Sequence, residues 1–218
     1  MTNQRIRTNS NGSELIRARF ALRLSEIGFI RNGDWFVLRL SSDLRGLVSF
    51  NFAAHREDHL LGVCPIVSLE FCSIAKKLNE LTDNPLSKVQ PSLSCGLGYL
   101  MPEGRWLEWL FNPASADVDE NDHIAQICEA IHTYGLPFFA DNRSVDTPIE
   151  NLIHHRFSFK DRASFHLPLA YSLRFQWSSA LDLVRNTQSE MLGRTDEAAK
   201  SFRSFAQRFI DEISIIDL

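Results

Sequence analysis

The sequence predicts an α+β fold, with a mainly antiparallel sheet of four to six strands, helices on one face and a C-terminal all-helical segment. The stretch from Trp35 to Phe111 contains the β-type runs, several of which alternate apolar and polar residues with the period of two typical of strands. From about Phe165 onward, apolar residues recur at helical spacing instead. These two patterns together indicate a sheet-containing part followed by a helical part.

The same change of pattern divides the chain into three predicted segments. Residues 1–12 are polar and rich in Asn and Thr, so they are predicted to be disordered. Residues 13–153 are predicted to form the α+β domain, and residues 165–218 a helical extension that packs on this domain or continues it. A chain of 218 residues can bury a sizeable core without cross-links, and its four cysteines, which form no CxxC pair, are predicted to be reduced thiols.

An opening helix is predicted to begin at Ser13, a good N-cap residue, because apolar residues such as Ile16 and Phe20 follow at helical spacing. Gly28 suits the position just past the helix end, where a left-handed backbone conformation is common. Phe29 is then expected to fold back onto the helix as the apolar residue of a Schellman-type ending.

Three strands are predicted next. The runs Trp35–Leu40 and Leu47–Phe52 are expected to pair as an antiparallel hairpin, because both are dense in β-type residues and turn residues separate them. The third run is Leu60–Val67. Because Pro65 cannot donate a ladder hydrogen bond, this strand is predicted to end there or to lie at a sheet edge.

A helix and a second hairpin are predicted to follow. Ser68 is expected to cap the helix. Its apolar stripe comprises Phe71, Ala75, Leu78 and Leu81. The runs Leu93–Tyr99 and Trp106–Phe111 are then predicted to form the clearest hairpin of the chain, because Pro102 and Gly104 lie between them.

The remaining elements are predicted to be helices. One is expected to end at Gly135, because Pro137 prevents its continuation. A short helix is expected within Leu167–Phe175, with Pro168 in its first turn, and Thr195 is expected to cap the final helix. The apolar stripe of this final helix comprises Ala198, Phe202, Phe205, Phe209, Ile213 and Ile216.

Several short patterns resemble catalytic or metal-binding motifs, but each lacks an essential part. His55 and His59 are four residues apart without the HExxH order, and Cys128 and His132 share a helix without a second pair of ligands. The segment Cys95–Gly98 lacks the third glycine of a dinucleotide-binding loop. The sequence therefore predicts no catalytic residue, no metal site and no cofactor.

The segment around the two neighbouring tryptophans is a candidate for binding a partner. Trp106 and Trp109 have opposite parity, so in a regular strand they would point to opposite faces of the sheet. An exposed tryptophan beside Arg105 and Glu108 has the composition of a binding hot spot. The alternative is that one indole ring lies in the core and the C-terminal helices cover the other.

A second candidate surface is acidic. Asp117, Asp119, Glu120 and Asp122 cluster at the predicted start of a helix. Their negative charge suits a basic partner or a cation, although the partial positive charge of the helix N-terminus also accounts for acidic residues there.

The chain also resembles a bacterial family of unknown function. The residues that carry this resemblance are Ile27–Phe29, Trp35, Gly62–Val63, Gly104–Trp106 and Gly135–Phe139. The resemblance covers about residues 15–152, with a looser likeness in the C-terminal helices. Because small bacterial α+β families of this kind often include immunity proteins, the resemblance implies a role in neutralising a toxin.

The leading functional interpretation is a cytoplasmic, non-catalytic protein-binding module of the immunity or antitoxin type. The net charge of −4 argues against broad capture of nucleic acid, and no apolar run approaches the length of a membrane span. An acidic face would favour a basic toxin as the protein partner, because charge complementarity speeds encounter and selects partners.

Two other interpretations stay open at this point. One is an enzyme whose site is assembled from dispersed residues such as His55, His59, Glu70 and His132. The other is a self-associating structural protein that forms a homodimer through the phenylalanine stripe of the C-terminal helix.

Overall fold

A computed structural model describes residues 3–55, 60–82, 89–112, 118–144, 146–154 and 160–216. Its elements follow in the order α1 (Asn3–Glu26), β1 (Ile30–Asn32), β2 (Trp35–Arg39), β3 (Leu44–His55), β4 (Leu60–Phe71), α2 (Cys72–Leu81), β5 (Leu93–Gly96), α3 (Leu97–Leu100), β6 (Trp109–Phe111), α4 (Val118–Ala130), a π-helical segment (Ile131–Gly135), α5 (Leu136–Asp141), α6 (Asp146–Ile153), α7 (Lys160–Ser172), α8 (Trp177–Glu190) and α9 (Glu197–Ile216). The predicted α+β class is confirmed.

The chain divides into two compact units. Unit 1 comprises Met1–Leu69 and Ser94–Asp141, and unit 2 comprises Glu70–Leu93 and Asn142–Leu218. This division differs from the predicted segments 13–153 and 165–218, because α2 and α6 join the C-terminal helices in unit 2. The difference arises because α2 packs against α7 and α9, which are remote in sequence.

The end of α1 has the predicted geometry. Gly28 has a φ of +89°, its N–H donates to Ser25 O at 3.1 Å, and the N–H of Phe29 donates to Leu24 O at 3.0 Å. This pair of bonds is the Schellman motif, and Phe29 is buried as the motif requires. The start of α1 was not predicted correctly, because the helix begins at Asn3 and not at Ser13. A helix can extend past the residues that pack on the core, since its backbone hydrogen bonds form within the helix itself.

The sheet of unit 1 has the strand order β1-β2-β3-β4-β5, and β6 also pairs with β4. The β1–β2, β2–β3 and β4–β6 pairs are antiparallel. The predicted β2–β3 hairpin is confirmed, with Phe36 opposite Val48. The strand β1, which sequence analysis missed, pairs with β2 across a two-residue turn at Gly33 and Asp34.

Phenylalanine rings fill the core of unit 1. The Phe20 ring of α1 stacks on Phe50 of β3 with centroids 4.2 Å apart, and it meets Phe111 of β6 edge-on at 6.4 Å. Phe36 meets Phe50 at 5.6 Å. Because all four rings are buried, α1 covers the face of the sheet that carries the three strand phenylalanines.

Strand β4 corrects two predictions. It continues through Pro65 to Phe71 and lies inside the sheet, since it pairs on one side with β3. Strand β6 pairs with Leu61–Val63, ahead of the proline, so the missing N–H does not interrupt that ladder.

Ser68 was predicted to cap helix α2, but it is a strand residue whose hydroxyl donates to Ser94 Oγ at 2.9 Å. Phe71 occupies the N-cap of α2 instead.

The predicted hairpin of Leu93–Tyr99 with Trp106–Phe111 does not form. Strand β5 ends at Gly96, residues 97–100 make the helical turn α3, and β6 pairs with β4. The alternating run Leu93–Tyr99 therefore forms a strand only as far as Gly96. Because Gly96 and Gly98 have no side chains, the following loop packs closely against the chain at these two positions.

The helix predicted to end at Gly135 continues instead. A π-helical segment follows α4 and leads directly into α5, and the N–H of Leu136 donates to Ile131 O across it. Pro137 therefore lies inside a continuous helix, and the wider π turn ahead of it accommodates the missing N–H. Within unit 1, the buried ring of Phe139 in α5 packs on Gly46 of β3.

Unit 2 is built from helices α2 and α6–α9. Pro168 lies inside α7, which begins at Lys160, so the short helix predicted to start beside this proline is the second half of a longer one. Asp196, and not Thr195, caps α9, because its Oδ1 accepts the N–H of Ala199 at 3.1 Å. The phenylalanine stripe of α9 is buried within unit 2, so it offers no exposed surface for the predicted homodimer.

No helix in the described part of the chain is both long enough and apolar enough to cross a membrane.

Candidate functional site

The loop between α3 and β6 holds the predicted tryptophans, and Gly98 fixes its path. The N–H of Arg105 donates to Gly98 O at 3.2 Å, which brings the returning chain against α3. A Cβ atom at position 98 would lie 2.4 Å from Arg105 O and 2.8 Å from the Leu107 side chain. Only glycine leaves room for this approach.

Replacing Gly98 with alanine is therefore expected to lower the free energy of unfolding by about 1–3 kcal/mol, because a backbone oxygen at 2.4 Å cannot move without shifting the loop. Chemical denaturation monitored by tryptophan fluorescence measures this loss. Gly104→Ala is the matched control, because a Cβ there meets open space and only the φ of +58° opposes it, at a cost of about 1 kcal/mol. An equal or greater loss in the control would contradict the crowding at Gly98.

Trp106 lies on this loop, outside any strand of the described chain. The alternation of side chains along a strand therefore does not determine which way its indole ring points. Its side chain is 49% exposed, and that of Tyr99 is 53% exposed. Both rings border Gly96, since a Cβ built there would lie 3.3 Å from Tyr99 Cδ2 and 3.4 Å from Trp106 Cε3. Tyr99 and Trp106 are called the aromatic pair below.

The Trp106 side chain also lies within hydrogen-bonding range of the Cys64 thiol in β4. Burial, and next the negative charge of Glu108, raise the pKa of Cys64 to about 11, although the bond from Trp106 opposes this rise. The thiol is therefore protonated at neutral pH, which suits a structural support and not a nucleophile.

Glu108 is positioned by two neighbouring strands. Its carboxylate lies over Gly62 of β4, where an added Cβ would be 1.9 Å from Oε1. The His55 ring at the end of β3 donates through Nε2 to Glu108 Oε2 at 2.9 Å. The glycine supplies the space and the histidine the hydrogen bond, so the direction of this carboxylate is set before any partner binds.

Beside Glu108 the surface opens into a cleft of about 490 Å³. It is lined by Met101, Glu103, Leu107, Glu108, Trp109, Gln126, Glu129, Ala130, Thr133 and Tyr134. One wall comes from the α3–β6 loop and the start of β6, and the other from α4 and the π-helical segment. This region is called the acidic cleft, because Glu103, Glu108 and Glu129 carry its only charges among the described lining residues.

The structure brings together part of the predicted partner-binding set. Glu108 and Trp109 line the acidic cleft, whereas Arg105 and Trp106 are exposed on the same loop. The predicted acidic group lies partly outside the described residues. Asp117 is outside them, Asp119 and Glu120 are placed only as backbone of α4, and Asp122 is exposed on that helix.

The sequence patterns did not predict a site role for Glu103, Glu129, Tyr99 and Tyr134. One wall of the cleft has a pattern that is visible in the sequence. Gln126, Glu129 and Thr133 recur at helical spacing, on the face opposite the buried isoleucines of α4, which indicates a polar exposed face. No comparable signal joins this helix to the α3–β6 loop.

The residues predicted for an enzymatic site that the structure describes each have a different environment. His55 bonds to Glu108, His132 is exposed, and the buried Glu70 accepts the backbone N–H of Gln90 at 2.6 Å. His59 lies outside the described residues. Within the described part of the chain, no group of three or more His, Cys, Asp or Glu side chains is arranged to hold a metal ion.

Comparison of the chain with protein-family models, curated proteins and solved structures finds no significant match. The resemblance to a bacterial family therefore stays a prediction.

Proposed function

We propose that this chain is a non-catalytic protein-binding module that engages its partner through the aromatic pair of unit 1. The supporting observation is that two large aromatic side chains, Tyr99 and Trp106, stay about half exposed side by side at Gly96. Tyrosine and tryptophan dominate binding hot spots, because each buries a large apolar area at a small cost in side-chain entropy.

The support beneath the aromatic pair favours this function. The Trp106 ring borders Gly96, and its side chain lies within hydrogen-bonding range of the Cys64 thiol. Little rotamer freedom is then left to lose on binding, and preorganisation of this kind strengthens association. Burial also raises the pKa values of Cys64 and of Cys95, the residue before Gly96, so both thiols are poor nucleophiles, which favours binding over catalysis.

The class of partner that we propose is a toxin with a basic surface, which the chain neutralises in the cytoplasm as an immunity or antitoxin-like protein. The support is the excess of negative charge near Trp106, because Glu103 and Glu108 lie on the loop that carries it and Glu129 lines the same cleft as these two, whereas Arg105 is the one basic residue of that loop. A carboxylate-rich surface attracts a basic partner and discriminates against an acidic one.

Replacing Trp106 with alanine tests this function. The wild-type chain is expected to capture a stoichiometric protein partner from cells of its source, as identified by mass spectrometry. The Trp106→Ala variant is expected to bind the purified partner about 30-fold more weakly, which corresponds to the roughly 2 kcal/mol typical of a hot spot.

Phe175→Ala is the matched control for this experiment. Phe175 is an aromatic residue of unit 2 that is 81% exposed, so its loss removes an exposed aromatic ring outside unit 1. The control is expected to bind the partner as the wild type does. Equal affinities for the wild type and Trp106→Ala would refute the assignment of the aromatic pair.

A further inference from the structure

We infer that the acidic cleft receives an arginine side chain of the protein partner. This inference rests on the proposed function and specifies which chemical group of the partner enters unit 1. It is carried by the combination of a cleft with carboxylates and aromatic rings on both of its walls.

The charges of the cleft favour a cation. Glu103 and Glu108 come from the α3–β6 loop, and Glu129 comes from the facing helix α4. The lining residues that the structure describes include no lysine, arginine or histidine that would neutralise them from within. His55 donates to Glu108 Oε2, the Cys64 thiol lies 4.0 Å from Glu108 Oε1, and Thr133 donates to Glu129 Oε1 at 3.2 Å. Because a carboxylate has about four lone-pair sites, Glu108 and Glu129 each keep capacity to accept further hydrogen bonds.

The aromatic and apolar lining favours arginine among cations. Trp109 and Tyr134 are half-buried in the cleft walls, and a guanidinium group stacks on such rings while its N–H groups reach carboxylates in a planar fork. Leu107 and Met101 give apolar surface for the methylene groups of the side chain. A lysine ammonium group is more strongly hydrated and cannot bind in the same planar manner.

Other occupants fit less well. An anion would be repelled by the carboxylates, and an apolar side chain would bury them without a partner, which is costly. A volume of about 490 Å³ is in the range of pockets that enclose small ligands, so a single side chain with part of its backbone can enter.

A short peptide provides a probe that does not depend on knowing the partner. Acetyl-Gly-Arg-Gly-amide would be titrated into the full chain while the indole N–H signal of Trp109 is followed by NMR, with Trp109→Phe used to assign that signal. The expected result is a saturable shift. The same peptide with citrulline, which is neutral and nearly isosteric with arginine, is expected to bind roughly tenfold more weakly or not at all. A lysine peptide is expected to fall between the two.

The double variant Glu103→Gln, Glu129→Gln removes two charges and leaves the shape of the cleft. It is expected to weaken binding of the arginine peptide roughly tenfold or more. Glu197→Gln, which changes a carboxylate that is 90% exposed on α9, is the matched control and is expected to leave peptide binding unchanged. Equal binding of the arginine and citrulline peptides, or no saturable binding of either, would overturn the inference.

The purified partner separates failure of this inference from failure of the proposed function. If Trp106→Ala weakens partner binding and the double variant does not, the arginine assignment is wrong and the binding function stands. If both weaken it, both are supported. If neither changes the affinity, both assignments fail.

Discussion

Replacing Phe205 with alanine is expected to destabilise the protein by about 3–5 kcal/mol, the largest single effect that the structure implies. The Phe205 side chain is fully buried in unit 2. Its ring centroid lies 5.0 Å from that of Phe165, 5.8 Å from Phe202 and 5.7 Å from Phe209. Truncation removes the transfer free energy of the ring and leaves a cavity among three other rings.

Urea denaturation of the wild type and the variant measures this loss. Ile215→Ala is the matched control on the same helix, because Ile215 is 74% exposed and its truncation is expected to change stability by less than about 0.5 kcal/mol. If the phenylalanine stripe were a dimer interface, Phe205→Ala would lower the sedimentation mass of the protein. An unchanged monomer stability together with a lower mass would contradict the core assignment.

Acid is expected to destabilise the protein through His166. Its side chain is buried in unit 2, where its Nδ1 lies 3.3 Å from Ser92 Oγ. Burial, and next the positive charge of Arg162, lower the pKa of His166 from 6.5 to about 3. Between these two values the unfolded chain binds a proton that the folded chain does not bind. The stabilisation from keeping His166 neutral is therefore fully present above about pH 6.5 and is lost as the pH falls towards 3.

The limiting slope of this effect is about 1.4 kcal/mol of unfolding free energy for each pH unit below 6.5. Denaturation at a series of pH values is expected to show it in the wild type and a shallower dependence in His166→Gln. His132→Gln, which replaces an exposed histidine, is the matched control and should retain the wild-type slope. NMR supplies an independent check, because the His166 ring signals should not titrate between pH 7 and 5. Titration near pH 6.5 would contradict the buried neutral state.

Local chemistry accounts for the elements that sequence analysis predicted well. The end of α1 follows from Gly28 and Phe29, because a left-handed glycine and a following apolar residue close the last carbonyls of a helix. The β2–β3 pairing follows from alternating apolar residues, and the buried face of α9 follows from phenylalanines at helical spacing. Each of these signals lies within one or two adjacent elements.

The errors occurred where a remote contact overrides a local signal. From the sequence, Pro65 was expected to end a strand and Pro137 to prevent a helix from continuing. In the structure, β4 continues through Pro65, and the π-helical segment joins α4 to α5, which contains Pro137. A proline removes a single N–H, and only the surrounding structure decides whether that position needs one. Gly96 and Gly98 were predicted to be strand residues. In the structure, the Tyr99 and Trp106 rings approach Gly96, and Arg105 O approaches Gly98.

The candidate site shows the same division. Composition and spacing alone singled out Trp106, Glu108 and Trp109 as unusual neighbours. Only the tertiary structure placed Glu129 of α4 and Tyr134 of the π-helical segment across a cleft from Glu108 and Trp109. It also placed His55 and Gly62 around the Glu108 carboxylate. The sequence thus determined the α+β class, the helix end at Gly28 and the buried stripe of α9, because these depend on periodicity and local backbone preference. The tertiary structure decided the partners of β6, the two-unit division and the cleft, because these depend on which surfaces meet after the chain has folded.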